Sequence, residues 1–431
     1  MKNTLHRVCC GAYVLLSAEL YLVAGLPPGS RGTATVLVYA GLTLLMFAVW
    51  RLEKKHQVDS GPWVLGAALL ARAVTFFVPG FLSHDIDRYL WDGAVALEGL
   101  DPYSVAAEDP LLIELRSRWP TPEEHLQYPT LYPPLALTLF AGCAAMGPEF
   151  APWGWRLLVL AASVVILLAA RRLSEQLENR SAFVFVAFSP LLLVEGQVGA
   201  HLDLFVAAAV AVALLALAGG RPRSGTTALA LGAAIKLLPA GALGVWWVRR
   251  GVRRSLGLVA IAAVLFLGPY LAAFLFGWVP VGSISVFFEK WRFASPLWLG
   301  LEGVFGERMG AVALAGAAFS ALFALWLARN ARDGSVLIFA VALPLVWSPV
   351  VFPWYLAPLV PLLLLRRSNF LLGWLCTIPL TYEVLDRFDL DGTWEPAAWP
   401  VAIVAAAWGV GLAFDLRSGA RQGVPFGEFG A

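Results

Sequence analysis

Charged side chains are scarce in this sequence. Asp, Glu, Lys and Arg make up 14% of its 431 residues, whereas hydrophobic residues make up 59% and the mean hydropathy is +0.74. So few charges exclude a water-soluble globular domain, because such domains carry about 25% charged residues. Apolar runs of membrane-spanning length recur from end to end instead, which indicates an all-α, multi-pass membrane protein forming one integral membrane domain, 1–431.

Lysine is scarcer still, with 5 residues against 26 arginines, a ratio typical of a GC-rich bacterial genome. We therefore expect the protein to lie in a bacterial plasma membrane, surrounded by membrane lipids. The formal net charge is only +2, and we expect no nucleic-acid partner.

Cysteines are few and carry no visible pattern. All four lie in apolar runs: Cys9, Cys10, Cys143 and Cys376. They form neither a CxxC site nor a disulfide framework, so we interpret them as small buried hydrophobic residues. The first apolar run also lacks a small-residue cleavage site and is followed by a second one, which favours a retained helix over a signal peptide.

The apolar runs predict about twelve spanning helices. They lie at about 8–26, 33–50, 62–82, 153–170, 181–197, 203–218, 255–277, 309–328, 335–347, 355–365, 369–384 and 397–413. Two further runs are not counted as spans: 131–147 is short for a crossing, and 226–248 has basic residues at both ends but is too short to cross twice. We expect 131–147 to lie in or dip into the outer leaflet, and 226–248 to form a hairpin of short helices broken near Lys236-Leu237-Leu238-Pro239.

The basic residues set the orientation, because short loops rich in Lys and Arg stay in the cytoplasm. With Arg51 to Lys55 inside, 20 of the 31 basic residues lie inside and 8 outside. The remaining three lie at membrane depth: Arg72, Arg156 and Lys236. Two polar segments, 83–130 and 278–308, then become the first and second extracytoplasmic loops.

Nucleotide-binding motifs are absent as well. No GxGxxG or GxxxxGK[ST] sequence lies between a predicted strand and a predicted helix. The inner face offers only short loops, which excludes a cytosolic nucleotide-sugar site. The acidic and aromatic residues gather at the outer surface, where a donor must arrive dissolved in the bilayer. This points to a lipid-linked substrate.

The most polar and aromatic stretch, Ser83 to Gly93, opens the first outer loop. Apolar residues recur at helical spacing through residues 85–98, which predicts an amphipathic helix lying on the membrane surface. Its polar face carries Asp85, Arg88 and Asp92. Asp85 could be a helix N-cap worth about 1 kcal/mol, with Arg88 pairing to neighbouring carboxylates, or it could be a functional group.

Several motifs resemble those of GT-C glycosyltransferases, above all the bacterial polyprenyl-phosphate-mannose-dependent mannosyltransferases, and more loosely the mannosyltransferase of GPI-anchor synthesis. The likeness covers about residues 60–365. In chain order the motifs are His84-Asp85-Ile86-Asp87-Arg88-Tyr89-Leu90-Trp91-Asp92-Gly93, Gly99-Leu100-Asp101-Pro102-Tyr103, Tyr128-Pro129-Thr130-Leu131-Tyr132-Pro133-Pro134-Leu135, Glu195, His201-Leu202-Asp203, Lys236-Leu237-Leu238-Pro239, Trp291-Arg292-Phe293 and Pro353-Trp354-Tyr355.

The resemblance implies inverting transfer of a sugar, mannose in this family, from a polyprenyl-phosphate donor to a membrane-associated glycan or lipid acceptor. It implies that Asp85 is the catalytic carboxylate and that Asp87 is its partner. A carboxylate there can take the proton of an attacking hydroxyl. The leaving phosphate needs cations or hydrogen-bond donors. The candidates are Arg88, His201, Lys236 and Arg292.

Further residues of these motifs are candidates for substrate binding: Tyr132, Glu195, Asp203, Trp354 and Tyr355. Several candidates have a structural alternative. His201 and Asp203 could simply start a helix, and the two aromatic residues could belong to an interfacial belt. Buried Lys236 and Arg72 could snorkel or pair, and Arg156 could anchor a helix end.

We expect no resident metal or other cofactor. The alternative is a divalent cation held by residues with scattered spacing: His84, Asp85, Asp87, His125, His201 and Asp203. The main rival to a glycosyltransferase is a transporter or lipid flippase. We find no repeat relating the two halves, which argues against many transporters, but Lys236 within the membrane keeps that alternative open. A ligase or polymerase that moves a preassembled glycan also fits these residues.

Overall fold

The computed structural model describes residues 2–56, 61–121, 126–330, 334 and 336–418. His125 lies outside these ranges. The described chain is helical, and its extended pairing is an isolated bridge between Phe293 and Val350. This confirms the all-α class. The α-helices are α1 Lys2–Ala18, α2 Leu20–Ala24, α3 Arg31–His56, α4 Gly61–Thr75, α5 Asp85–Leu97, α6 Ile113–Arg118, α7 Pro134–Ala144, α8 Ala151–Gln176, α9 Phe183–Ala187, α10 Pro190–Gln197, α11 Asp203–Ala218, α12 Pro222–Ile235, α13 Ala240–Arg250, α14 Val252–Leu275, α15 Ile284–Lys290, α16 Pro296–Phe305, α17 Met309–Asn330, α18 Val336–Val346, α19 Asn369–Thr377, α20 Val384–Asp391 and α21 Ala398–Ser418.

Within the described ranges, six stretches are long and apolar enough to cross a membrane. They are Thr4–Ala24, Arg31–Lys55, Ala151–Gln176, Arg253–Leu275, Pro296–Arg329 and Ala398–Arg417. Each of them overlaps a span predicted from the sequence. Several other predicted spans are shorter helices, including α4, α11 and α18, and twelve full crossings therefore remain a prediction.

Proline explains where predicted spans are interrupted, because it lacks the backbone donor that a continuous α-helix needs. The span predicted at 181–197 is divided into α9 and α10 at Pro190. The span predicted at 355–365 is a 3₁₀-helix, Pro353–Leu364, with prolines at 358 and 361. The span predicted at 369–384 changes from α19 to a 3₁₀-helix at Ile378–Glu383, whose second residue is proline.

Four other segments can be compared with the sequence-based predictions. The helix predicted to reach residue 82 ends at Thr75. The run 131–147 contains α7, whose 11 residues are about 17 Å long and too short to cross a bilayer. The run 226–248 is divided between α12 and α13 with a break at 236–239, as predicted. The second loop, 278–308, is largely helical, because it contains α15 and α16.

The polar face of α5, the helix predicted to lie on the membrane surface, is covered by protein. Its residues 88–95 are all buried, including Arg88 and Asp92. α5 packs against α7, and Gly93 permits this, because a Cβ there would lie 2.6 Å from the Phe140 carbonyl oxygen. The helix is therefore enclosed by protein, and its polar residues pair with protein groups.

The centre of the molecule is the 3₁₀-helix Pro353–Leu364, which is buried at every position except Tyr355. It packs against α9, α10 and α11, and α11 packs in turn against α8 and α12. The N-terminal end of this 3₁₀-helix and the N-terminal end of α11 meet at one cavity, beside the start of α5.

Candidate active site

A cavity of about 710 Å³ brings together segments that are far apart in the sequence. It is lined by parts of 80–89, 127–133, 202–203, 235–236, 283–293, 350–355 and 385–395. Eight of the residues singled out from the sequence line it: Asp85, Arg88, Tyr132, Asp203, Lys236, Arg292, Trp354 and Tyr355. Three others are not among the described lining residues: Asp87, Glu195 and His201.

Asp85 is the first residue of α5, and its side chain is 19% exposed to the cavity. The Tyr89 hydroxyl donates to its Oδ2 atom at 3.2 Å, and Nε2 of His201 lies 3.7 Å from the same atom. The N-cap of the helix is His84, not Asp85, so the capping interpretation of Asp85 is wrong. The carboxylate thus points towards the cavity and not towards the end of its own helix.

His201 is fully buried behind Asp85. Its Nε2 atom lies 3.0 Å from the Ser83 hydroxyl, and its Nδ1 atom lies 3.1 Å from Oε2 of Glu195. The second contact lacks hydrogen-bond alignment, so we treat it as electrostatic. The imidazole ring stacks on Trp354 with centroids 4.0 Å apart and planes 9° apart. The ring is therefore held between two carboxylates and one aromatic face.

Glu195, on α10, is a completely buried carboxylate. Two tyrosine hydroxyls donate to it, Tyr39 at 2.6 Å and Tyr382 at 2.7 Å. Hydrogen bonds of this kind offset the cost of burying a charge. The carboxylate faces the His201 ring and not the cavity.

The backbone before α11 is shaped to hold His201. Ala200 has a φ of 47°, a conformation uncommon for residues other than glycine, and the Trp155 indole donates to its carbonyl at 2.7 Å. A side chain at Gly199 would collide with the imidazole ring. The His201 ring therefore packs closely against the turn formed by residues 199–200.

Lys236 lies at the break between α12 and α13, directly after the last residue of α12. Its Nζ atom donates to Oδ1 of Asp203 at 2.7 Å and lies 3.5 Å from the centre of the Tyr355 ring. Of the two structural alternatives, pairing is therefore the correct one. Its side chain is 28% exposed, so the ammonium group also reaches the cavity.

The two predicted arginines line the cavity but are engaged with other groups. Arg88 is paired with Asp92, with Nε 3.0 Å from Oδ1, and donates to the Tyr128 carbonyl at 2.8 Å. This agrees with the expected pairing of Arg88 to a neighbouring carboxylate. Arg292 donates from Nε to Glu302 at 2.9 Å, and its side chain is 27% exposed.

Two tyrosines next to Asp85 remain hydrogen-bond donors. Burial raises the pKa of the Tyr89 and Tyr132 phenols well above their usual value, and the charge of Asp85 raises both further. Their rings meet edge to face with centroids 5.2 Å apart. Both hydroxyls therefore stay protonated at any pH at which the protein works.

Aromatic side chains continue from His201 along one side of the cavity. Trp354 stacks on Phe352, with centroids 4.5 Å apart, and Phe352 contacts Phe293 at the same distance. The Phe293–Val350 bridge fixes these two segments together. Because Trp354 is only 4% exposed, an interfacial belt does not describe it.

The other two cations predicted at membrane depth, Arg156 and Arg72, donate hydrogen bonds to backbone carbonyl groups. Arg156 donates to three carbonyl oxygens, those of Phe76, Val78 and Gln197. It is thus a structural clamp and not an interfacial anchor. Arg72 donates to the carbonyls of Ala68 and Ala187.

Several lining residues were missed by the sequence analysis. They are Arg31, Tyr89, Lys290, Phe388, Asp389, Trp394 and Glu395. Tyr89 lies inside the motif of α5, so its place next to Asp85 at i+4 could have been found from helical spacing. The residues after 385 follow no motif. Among the described residues, no group of three or more His, Cys, Asp or Glu is arranged to hold a metal ion.

The sequence matches a known enzyme family. Residues 14–249 match the MptA_B family, described as alpha-(1->6)-mannopyranosyltransferase, N-terminal domain. The match covers more than half of the 431 residues and includes every lining residue from Arg31 to Lys236. No curated protein sequence matches the chain. The chain belongs to the MptA_B family of alpha-(1→6)-mannopyranosyltransferases and is a membrane glycosyltransferase of the GT-C type.

Proposed function

We propose that this mannosyltransferase uses a polyprenyl-phosphate-linked mannose as donor and transfers the sugar, with inversion, to a hydroxyl of a membrane-associated acceptor. The observation that carries the proposal is the position of Asp85. Its carboxylate lines a cavity whose other walls carry the cations Lys236, Lys290 and Arg292. A base and phosphate-binding groups around one space suit attack on a sugar phosphate.

In the proposed step, the acceptor oxygen forms a bond to the anomeric carbon as the bond from that carbon to the phosphate oxygen breaks. The hydroxyl proton passes to Asp85, and polyprenyl phosphate leaves with the electron pair of the broken bond. The Tyr89 hydroxyl and His201 orient the carboxylate. Because inversion must give the alpha linkage named for the family, the donor sugar should be beta-linked to its phosphate.

Cations of the cavity would stabilise the charge that develops on the leaving phosphate. Lys236 and Arg292 each have a carboxylate partner, yet both remain partly exposed, so each can add a contact to phosphate. Lys290 is exposed at the same cavity. Arg88 is buried against Asp92 and is better suited to holding the Tyr128 segment in place.

The proposal includes a site on the extracytoplasmic face, with twelve crossings and the loops 83–130 and 278–308 outside. Both loops contribute residues to the one cavity, as loops on the same face should. We propose no metal for the reaction and expect transfer to be insensitive to a chelator. The pairing of Lys236 with Asp203 gives this membrane-depth cation a structural partner, which supports a transferase over a transporter.

The proposal is tested with purified protein and radiolabelled donor. The protein is incubated with beta-linked polyprenyl-phosphate mannose, its alpha-linked anomer or a nucleotide-linked mannose, each with octyl alpha-mannoside as acceptor, with and without EDTA. We expect labelled dimannoside only from the beta-linked lipid donor, in equal amounts with EDTA. Product from the nucleotide sugar, or from the alpha anomer alone, would contradict the proposal.

A further inference from the structure

We propose that the wall formed by residues 385–395 binds the sugar end of the acceptor, and that this acceptor is a neutral glycan and not an anionic lipid. The inference rests on the proposed function, whose cavity it divides into a donor side and an acceptor side. We call these residues the C-terminal wall. None of them lies within the segment 14–249 that matches the family.

The C-terminal wall is a helix end that turns into the cavity. α20 ends at Gly392, whose φ of 76° is a left-handed conformation that glycine adopts easily. The reversal brings the segment after the helix back beside its last turn. As a result Phe388 and Asp389 from the helix, and Trp394 and Glu395 from the following segment, line the same cavity.

Trp394 supplies a rigid aromatic surface there. It packs edge to face on Phe388, with centroids 5.0 Å apart, and lies nearly parallel to Phe293, with centroids 5.9 Å apart and planes 28° apart. The residue is only half-buried. A half-buried indole that is fixed by neighbouring aromatic rings and lines the cavity suits contact with the apolar face of a sugar ring.

The charges of the C-terminal wall favour a neutral acceptor over an anionic one. Asp389 and Glu395 are carboxylates, which accept hydrogen bonds from sugar hydroxyls and repel phosphate. Arg31 offsets them only in part, because its Nη1 atom lies 3.9 Å from Asp389. Asp389 Oδ2 has no hydrogen-bond partner among the described residues. Arg387 is the only basic residue of the C-terminal wall; it pairs with Glu383 and does not line the cavity.

Apart from Arg31, the cations that line the cavity lie on other segments. Lys236 belongs to the break after α12, and Lys290 and Arg292 belong to the second loop. This separation places the donor phosphate near the second loop and a hydroxyl-rich, uncharged group near the C-terminal wall. A phosphate-bearing lipid headgroup would bring its charge against two carboxylates, so a neutral saccharide is the class of acceptor that fits.

The test measures transfer and acceptor binding separately. Trp394→Ala and the nearly isosteric Asp389→Asn are compared with Trp399→Ala and Glu307→Gln. Both control positions are exposed, lie outside the C-terminal wall and are absent from the cavity lining. Octyl alpha-(1→6)-dimannoside is the neutral probe, and the same dimannoside carrying a phosphate is the anionic one. Thermal unfolding verifies that each variant is folded.

We expect both wall variants to raise the KM for the neutral probe at least tenfold, with the donor KM within twofold of wild type and both controls unchanged. Calorimetric binding of the neutral probe without donor should weaken to the same extent, and wild type should bind the anionic probe at least tenfold more weakly. An unchanged acceptor KM and affinity in Asp389→Asn and a folded Trp394 variant would overturn the inference. Equal or tighter binding of the anionic probe would do so as well. Intact, Trp394-dependent binding without any transfer by wild type would instead refute the proposed function alone.

Discussion

Glu195 and Asp85 lie on opposite sides of the His201 ring, and only Asp85 reaches the cavity. A buried carboxylate next to one ring nitrogen fixes the orientation of the imidazole and influences its charge. It thereby determines how the other ring nitrogen faces its own neighbour. We therefore interpret Glu195 as a positioning residue that acts through His201. Tyr39 and Tyr382 hold it in place by hydrogen bonds.

Glu195→Gln should lower kcat at least tenfold, a barrier increase of about 1.4 kcal/mol. Glutamine keeps the shape and can still accept from both tyrosines, but it removes the negative charge facing His201. We also expect the pH profile of kcat to change, with the KM for donor unaltered. Tyr382→Phe, which removes a hydrogen bond but not the charge, should have the smaller effect. Wild-type kcat and an unshifted pH profile in Glu195→Gln would refute the positioning role.

The sequence could identify polar residues of this site but not their geometry. Asp85, Lys236 and Asp203 are conspicuous because ionisable residues in or near a membrane are costly. The partners of Glu195 are 156 and 187 residues away from it. Nothing in the local pattern around Tyr39 or Tyr382 distinguishes them from other aromatic residues in apolar runs, so the network could not be predicted.

Helix α5 shows what an amphipathic pattern can and cannot predict. The pattern correctly predicts the helix and almost all its length, but it distinguishes apolar from polar faces without saying what covers the polar one. Here the polar face is covered by protein, since Arg88 pairs with Asp92 and with the Tyr128 carbonyl. By contrast, the break at 236–239 was predicted correctly. The helix breaks at other prolines also follow from local chemistry, but the prediction of unbroken spans at 181–197, 355–365 and 369–384 did not include them.

Gly93→Ala should destabilise the protein by about 1–3 kcal/mol, the usual cost of overpacking a close contact. The added methyl group would meet the backbone of Phe140, which cannot move aside as a flexible side chain could. Gly66→Ala is the matched control, because nothing lies within 4 Å of a Cβ at that helical position. Thermal unfolding in detergent compares the two. Equal unfolding temperatures would show that the α5–α7 contact is not as close as described.

In the molecule as a whole, every segment that lines the cavity lies at a helix end or in a connection between helices. The predicted orientation places these connections on the outer face, apart from the break at Lys236, which it places at membrane depth. Arg171, Arg172 and the cluster from Arg249 to Arg254 are then on the inner face. Basic residues in short loops carry this information in the sequence. The C-terminal segments reach the cavity through tertiary packing. Because no recognisable motif follows residue 365, the sequence did not predict that these segments line the site.

Cysteine labelling in intact cells tests this orientation. In a variant lacking the four native cysteines, single cysteines replace Ser104, Ser285, Glu175 and Arg253, all of which are exposed. A membrane-impermeant reagent should label positions 104 and 285, and should label 175 and 253 only after the cells are opened. Labelling of position 175 from outside would mean that residues 131–147 cross the membrane completely.

The most direct test of the central claim is Asp85→Asn. Asparagine preserves the size of the side chain and can still accept from Tyr89, but it cannot take a proton from the acceptor. A general base contributes about 10²–10⁴-fold to a rate, or roughly 3–5 kcal/mol of barrier. The variant should unfold at the wild-type temperature, bind the lipid donor normally and lose transfer by at least a hundredfold, whereas Asp87→Asn should lose less. Transfer at the wild-type rate by a folded Asp85→Asn enzyme would contradict the account.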